Sequence, residues 1–207
     1  MKKATWVTTV FAVLLLTFTA CGKEEPFDAK SYVQGSLDAF YHCDYKQHAT
    51  DVGVSAKDLE QELVDQFLNE TEDLVKESGF KATEEEVTEY TNLETEARKR
   101  VNYKVLEAKE NEDGTYVVDV EVTPLGVYDN LTTIFSQHMQ EAMANGVGED
   151  GYMAVMNQSL KESIDAAREY DPVTISMHVT CKEKDKKKIY SVNESDLAEF
   201  DVIALHQ

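Results

Sequence analysis

Tyr116-Val117-Val118-Asp119-Val120-Glu121-Val122-Thr123 is the stretch that decides the fold. Tyr116, Val118, Val120 and Val122 alternate with Val117, Asp119, Glu121 and Thr123. Side chains on a strand point to opposite faces in turn, so this spacing gives one apolar and one mostly polar face. Pro124 ends the run, because it cannot donate to a strand ladder. Upstream, Val101, Tyr103 and Val105 alternate with Asn102, Lys104 and Leu106. Between the two runs lies Asn111-Glu112-Asp113-Gly114, and Asp-Gly between alternating segments predicts a hairpin. A second hairpin follows Asp171-Pro172: Val173, Ile175, Met177, Val179 and Cys181 alternate cleanly, Lys182 to Lys188 makes the turn, and Ile189 to Val192 returns. Two hairpins can join edge to edge into one antiparallel sheet of about four strands.

Around these hairpins the period is helical. Val33, Leu37, Phe40 and Tyr41 share a face over Phe27 to about Tyr45, and a loop around Gly53 follows. Ser55 with Asp58 predicts an N-terminus for a helix with Leu59, Leu63, Phe67 and Leu74 on its stripe, stopped by Gly79. Thr83 with Glu86 opens a helix that buries Val87, Tyr90, Leu93 and Ala97. After the first hairpin, Val127, Leu131, Ile134, Phe135, His138 and Ala142 form one helix, broken at Gly146 and Gly148. A second, from about Glu149 to Tyr170, buries Met153, Met156, Leu160 and Ile164. Asn193 caps a short helix through Leu197 and Phe200; residues 201–207 are weakly determined. The expected fold is α+β, a four-stranded antiparallel sheet with helices packed on one face. With three prolines in the chain, no linker divides residues 27–207, which are expected to form a single domain.

The N-terminus has another purpose. Met1-Lys2-Lys3 is basic, Trp6 to Phe18 is uncharged and mostly apolar, and Phe18-Thr19-Ala20-Cys21 closes the segment. That is the layout of a secretory signal. The apolar run is shorter than the roughly 20 residues of a membrane span, and Phe18 is bulky for an ordinary cut after Ala20. The segment resembles the lipobox of bacterial lipoproteins. The resemblance implies a signal over residues 1–20 and lipidation of Cys21 with diacylglycerol and a further acyl chain. A polar tether over residues 21–26 follows. Two chains make membrane attachment stable. The expected location is the outer face of the cytoplasmic membrane, exposed to the extracellular side. Gly22 would permit sorting to the outer membrane in a cell with two.

The chain has 40 Asp and Glu against 20 Lys and Arg. Lys2 and Lys3 leave with the signal, so 18 basic residues remain against 40 acidic ones. Such a body repels phosphates, which argues against nucleic acid, anionic head groups and teichoic acids as partners of its surface as a whole. Beyond Cys21 only Cys43 and Cys181 occur. Outside the cell they can pair into a disulfide; the alternative is two small buried thiols.

Chemistry is hard to find. The histidines are His42, His48, His138, His178 and His206. No H-E-x-x-H, G-x-S-x-G or P-loop occurs. His42 and His48 fall on different faces, His138 sits in an apolar stripe, and His178 lies on the polar side of its strand. The acidic turns Glu110 to Gly114 and Glu149-Asp150-Gly151 lack the ligand spacing of a calcium loop. The lysine-rich turn is the one local reversal of charge; its ordinary reading is a hairpin tip protected from edge association, and the other is docking on an anionic partner or the membrane surface. Tyr32, Phe40, Tyr41 and Tyr45 either line a pocket or are core. The sequence therefore nominates no catalytic, cofactor or metal residues.

Phe27-Asp28-Ala29-Lys30-Ser31-Tyr32-Val33, Leu37-Asp38-Ala39-Phe40-Tyr41 and Asp44-Tyr45 resemble an uncharacterised lipoprotein domain family of clostridial type, from Gram-positive bacteria. Ile189-Tyr190-Ser191-Val192 and Asp196-Leu197 at the other end are similar to it as well. The resemblance implies a Gram-positive surface and a cone-shaped α+β fold like nuclear transport factor two, and it brings no activity with it. The expected function is a lipid-anchored, non-catalytic binding or interaction module for an envelope protein or an apolar ligand. The alternatives are an enzyme with its pocket in the concavity of the sheet, and solute capture for a transporter.

Overall fold

In the computed structural model, residues 27–184 and 187–206 are described; the expected signal over residues 1–20 and the expected tether with Cys21 lie outside them. Strand β2 (Tyr116–Thr123) is flanked on both sides. On one side it pairs with β1 (Asn102–Glu110) through Asn102↔Thr123 to Glu110↔Tyr116, interrupted by a bulge between Val105 and Ala108. On the other it pairs with β3 (Val173–Lys184) through Tyr116↔Val179 to Val122↔Val173. β4 (Lys187–Val192) closes the sheet against β3, giving the antiparallel order β1-β2-β3-β4. Both expected hairpins form, and they join through β2 and β3. Gly114 sits at φ +78° in the first turn, a conformation that costs a residue with a Cβ.

The alternation in sequence becomes alternation in burial. Val105, Val118, Val120, Val122, Ile175, Met177, Val179 and Tyr190 face inward and are buried. Lys104, Glu121, Thr174, Ser176 and His178 on the other face are exposed. Among the described residues, helices thus cover one face only. Helix α1 (Ala29–Leu37) lies on β1 and β2, and α7 (Glu194–Ala204) on β3. Between and beyond them lie α2 (Lys46–Val52), α3 (Ala56–Ser78), α4 (Glu84–Lys99), α5 (Leu131–Ala144) and α6 (Tyr152–Ala166). None of the described helices is long and apolar enough to cross a membrane.

Local chemistry sets the helix ends. Ser55 accepts from the Asp58 N–H at 3.1 Å, and Gly79 closes α3 in the left-handed conformation at φ +76°. Thr83 and Glu86 satisfy each other's backbone N–H groups, a complete capping box.

The structure departs from the expected helices in five places, the simplest being that Val127, expected on the helix with Leu131, is buried in the segment between β2 and α5, which begins at Leu131. The first helix does not run smoothly to Tyr45: after Leu37 it widens into a π turn, Asp38–His42, and stops at Cys43 with φ 55°. The expected loop around Gly53 is preceded by α2, seven residues whose buried side includes His48, so apolar spacing does not betray it. The helix expected to reach Tyr170 ends at Ala166, because residues 168–170 pair instead with the segment after β2. There Gly126 N–H donates to the Arg168 carbonyl at 2.9 Å and Tyr170 N–H to the Pro124 carbonyl at 2.9 Å. At the C-terminus, the weakly determined end continues α7 to Ala204 and is buried there.

One large core joins the inward sheet face to α1, the π turn, α7 and the inner sides of α3, α4 and α6. A smaller cluster of Val75, Val87, Met153 and Met156 packs the far ends of α3, α4 and α6.

Candidate functional site

The densest convergence of titratable side chains is buried beneath α4. Glu94 and Arg98 stand one helical turn apart, on a stripe adjoining the buried Leu93 and Ala97. The Arg98 guanidinium reaches Glu94 at 3.4 Å and Asp201 of α7 at 3.6 Å, with both carboxylates almost wholly out of solvent. Tyr41, from the π turn, donates to Asp201 at 2.8 Å, and Tyr128 donates to Glu94 at 2.6 Å. Arg98 also lies over the Phe67 ring, 5.3 Å from its centroid. Burial alone would make Arg98 easier to deprotonate, but Asp201 and Glu94 outweigh it and hold the cation. Burial and the nearby carboxylates push the Tyr41 and Tyr128 hydroxyls well above their ordinary range, so both stay protonated donors.

Against this cluster, between α3 and α4, lies a cavity of about 20 Å³ lined by Phe67, Glu70, Tyr90, Thr91, Glu94 and Arg98, among others. That is room for a single water. Glu70 Oε2 faces buried space with no hydrogen-bond partner among the described residues, and burial raises the pKa of its carboxyl. The arrangement can hold a proton or a water; it has no room for an organic substrate. Its geometry is that of a lock joining four parts of the chain: the π turn, α4, residue 128 and α7.

The histidines are dispersed. His48 is buried, with Nδ1 3.2 Å from Ser36 Oγ, and desolvation lowers its pKa to about 4. His42 donates from Nε2 to the Val101 carbonyl at 3.1 Å and stacks on Tyr103, whose hydroxyl donates to Asp38 at 2.6 Å. His138 bridges Ser159 at 3.0 Å and Glu162 at 3.2 Å on the α5–α6 boundary. His206 and Tyr170 both hydrogen-bond Asp129, at 2.6 and 2.5 Å, and stack on each other. His178, half-exposed, reaches Asp196 from Nδ1 at 2.8 Å, and Asp196 also accepts the His178 backbone N–H at 2.6 Å. Among the described residues, no three His, Cys, Asp or Glu side chains converge to hold a metal ion.

Other residues noted in the sequence also have structural partners. Tyr32, Phe40 and Tyr41 are core, and Tyr45 packs against it. Asp113 accepts from the Thr115 N–H and hydroxyl at 3.1 and 2.6 Å, which ties the first hairpin turn. Asp150 pairs with Lys81 at 2.9 Å. Cys43 and Cys181 are free thiols, so the disulfide weighed from sequence is not formed. The two stand in separate surroundings: Cys43 beside Tyr45 past the π turn, Cys181 beside Tyr190 and Tyr116 on the hairpin.

The start of the described body is fastened to that second hairpin. Phe27 stacks on Tyr190 with ring centroids 3.6 Å apart and planes 2° from parallel, and it also meets Tyr32 and Tyr116 at 5.4 Å. Tyr32 donates its hydroxyl to the Tyr190 carbonyl at 3.1 Å. The chain therefore enters the fold at the β3–β4 hairpin.

No protein-family model matches the sequence. No curated protein is similar enough to register. Among solved structures, the fold is similar to the crystal structure of a putative lipoprotein, ycdA, from Bacillus subtilis, with a TM-score of 0.57 and 13% identity. The match covers 86% of this chain and 55% of that one, so this chain spans about half the length of its structural neighbour.

Proposed function

We propose that the chain is a lipid-anchored envelope protein whose folded body serves as a binding or interaction module. The observation that carries this reading is the run Phe18-Thr19-Ala20-Cys21, a lipobox-like segment six residues before Phe27 enters the fold. A lipidated Cys21 would hold the acidic body close to the membrane through a short polar tether. The fold likeness to a protein described as a lipoprotein supports the same reading. So does the resemblance of both ends of the body to clostridial-type surface lipoproteins, with the cone-shaped fold that resemblance implies. The partner is an envelope protein or an apolar ligand, and the acidic exterior disfavours nucleic acid.

The test is Cys21→Ala in the native host. The expected result is an unprocessed chain, or one released from the membrane, with loss of the acyl mass. Unchanged retention and unchanged mature mass would overturn the anchor. Pull-down of the lipidated protein from its envelope, with mass spectrometry of what copurifies, tests the module: a bound protein or apolar molecule supports it, and a processed small substrate counts against it.

A second reading, an enzyme, is favoured by one observation. His178 is oriented by Asp196 through Nδ1 while half its side chain meets solvent, which is how a general base is held. That reading requires any activity found to vanish in His178→Gln without loss of folding.

A further inference from the structure

β3 and β4 run past the rest of the sheet. β2 begins at Tyr116, opposite Val179, whereas β3 continues to Lys184. The positions 180–184 of β3 therefore stand beyond the last rung of β2, an overhang of roughly 17 Å at the usual rise per residue. Only β4 pairs with it. Its inner rungs are covered by the Phe27 stack on Tyr190. Its outer rungs, Lys182↔Ile189, Glu183↔Lys188 and Lys184↔Lys187, hold four lysines and one glutamate on a chain whose formal charge is −20. Lys182 and Lys188 are exposed.

Two distances decide what this positive tip meets. At physiological ionic strength charges are screened over about 8 Å. Lys182, three residues past Val179, stands about 10 Å beyond β2, just over one such length, and the end of the overhang about two, so the field of the acidic body weakens along it. The tether, in contrast, is short. Five residues lie between Cys21 and Phe27, six steps of at most about 20 Å of extended chain, and Phe27 is fixed at the base of the overhang. Whatever surface holds Cys21 is within reach of these lysines.

We propose that the β3–β4 overhang docks on the anionic phospholipid surface of the membrane that carries Cys21, and so fixes the orientation of the body. The proposal rests on the anchor reading above. Each basic residue near an anionic bilayer is worth about five-fold in partition, so three net charges bias the docked state by about a hundred-fold. Lipid attachment makes this an intramolecular event, for which so modest an attraction suffices. The competing role of these lysines, keeping a strand edge from pairing with other chains, carries no dependence on lipid charge.

The test uses the full-length lipidated protein in vesicles of phosphatidylcholine alone and of phosphatidylcholine mixed equally with phosphatidylglycerol. Amine-reactive labelling of individual lysines is read by mass spectrometry. On the anionic vesicles, labelling of Lys182 and Lys188 is expected to slow by about ten-fold or more and to recover at high salt. Lys99 and Lys161, exposed on the helices, should label equally on both vesicles. In K182E/K188E the labelling of Lys184 and Lys187 becomes independent of lipid charge, while K99E/K161E behaves as the parent. Equal labelling of the hairpin lysines on the two vesicle types overturns the docking, and so does protection shared by Lys99 and Lys161. A protein that fails to float with phosphatidylcholine vesicles removes the anchor, and the docking with it; one that floats but shows no protection removes the docking alone.

Discussion

Arg98 occupies a position that an apolar residue would ordinarily fill. A lone buried cation is far too costly to persist, and this one persists because Glu94 and Asp201 flank it while Tyr41 and Tyr128 saturate the two carboxylates. Removing the cation leaves both acids without their counter-ion. Arg98→Ala is expected to cost about 3–5 kcal/mol in chemical denaturation. Arg98→Lys should recover only part of it, since a point charge cannot serve two carboxylates as a guanidinium does. A loss below 1 kcal/mol would mean that the cluster contributes little. His48 gives a prediction in pH. Its folded pKa lies near 4, below the ordinary 6.5, so between these values the unfolded chain binds more protons than the folded one. Its contribution is therefore complete above pH 6.5 and declines as the solution is acidified towards 4. Over the full window this is on the order of 3 kcal/mol. The slope of stability against pH from 6.5 down to 5, before most carboxylates titrate, should flatten in His48→Gln. Neither group was singled out as structural in the sequence. His48 lies on a helix too short to show a period. Glu94 and Arg98 do carry a signal, an i, i+4 pair beside the apolar stripe, but nothing local tells that Asp201 will complete it.

At the scale of elements, end signals proved more legible than interiors. Ser55, Gly79, the Thr83–Glu86 box, the Asp113-Gly114 turn and Asn193 all stand where their chemistry places them. These are local interactions, written in adjacent residues. Thr83→Ala is expected to cost about 1 kcal/mol, measured by thermal unfolding, with the loss confined to α4. What was not legible depends on partners far away in sequence. α6 stops short because residues 168–170 bond to the strand-like segment around Gly126 rather than continuing as helix. Gly126 is there for space. A Cβ at this position would stand 2.9 Å from Tyr170 Cε2 and collide with the Asp129 carboxylate. Gly126→Ala should pry apart the Asp129–Tyr170–His206 cluster and cost about 1–3 kcal/mol. Faster amide exchange in residues 168–170, with β2 unchanged, is the signature to look for; unaltered exchange there would show that the cluster tolerates the methyl group.

Across the whole molecule, stability is unevenly distributed. β2 lies between two strands and under the core, whereas α5 buries only Ile134 along fourteen residues. Sub-global opening starts where few apolar contacts are held. Native-state amide exchange should find α5 the least protected of the long helices and β2 with β3 the most protected, and α5 matching β2 would contradict this distribution of burial. The joining of two hairpins into one sheet was readable from alternation and turn chemistry, because successive strands simply pair in order. The meeting of the chain's two ends was not. Tyr41 bonds Asp201 across 160 residues and Tyr32 bonds Tyr190 across 158, and no periodicity encodes such a join. It has a consequence for biogenesis. A polypeptide made from its first residue onward has its early helices long before its last turn. Until that turn arrives, Arg98 lacks one of its acids and the N-terminal aromatics have nothing to close upon. The latch between the early and late segments of the described body therefore delays consolidation until synthesis is complete.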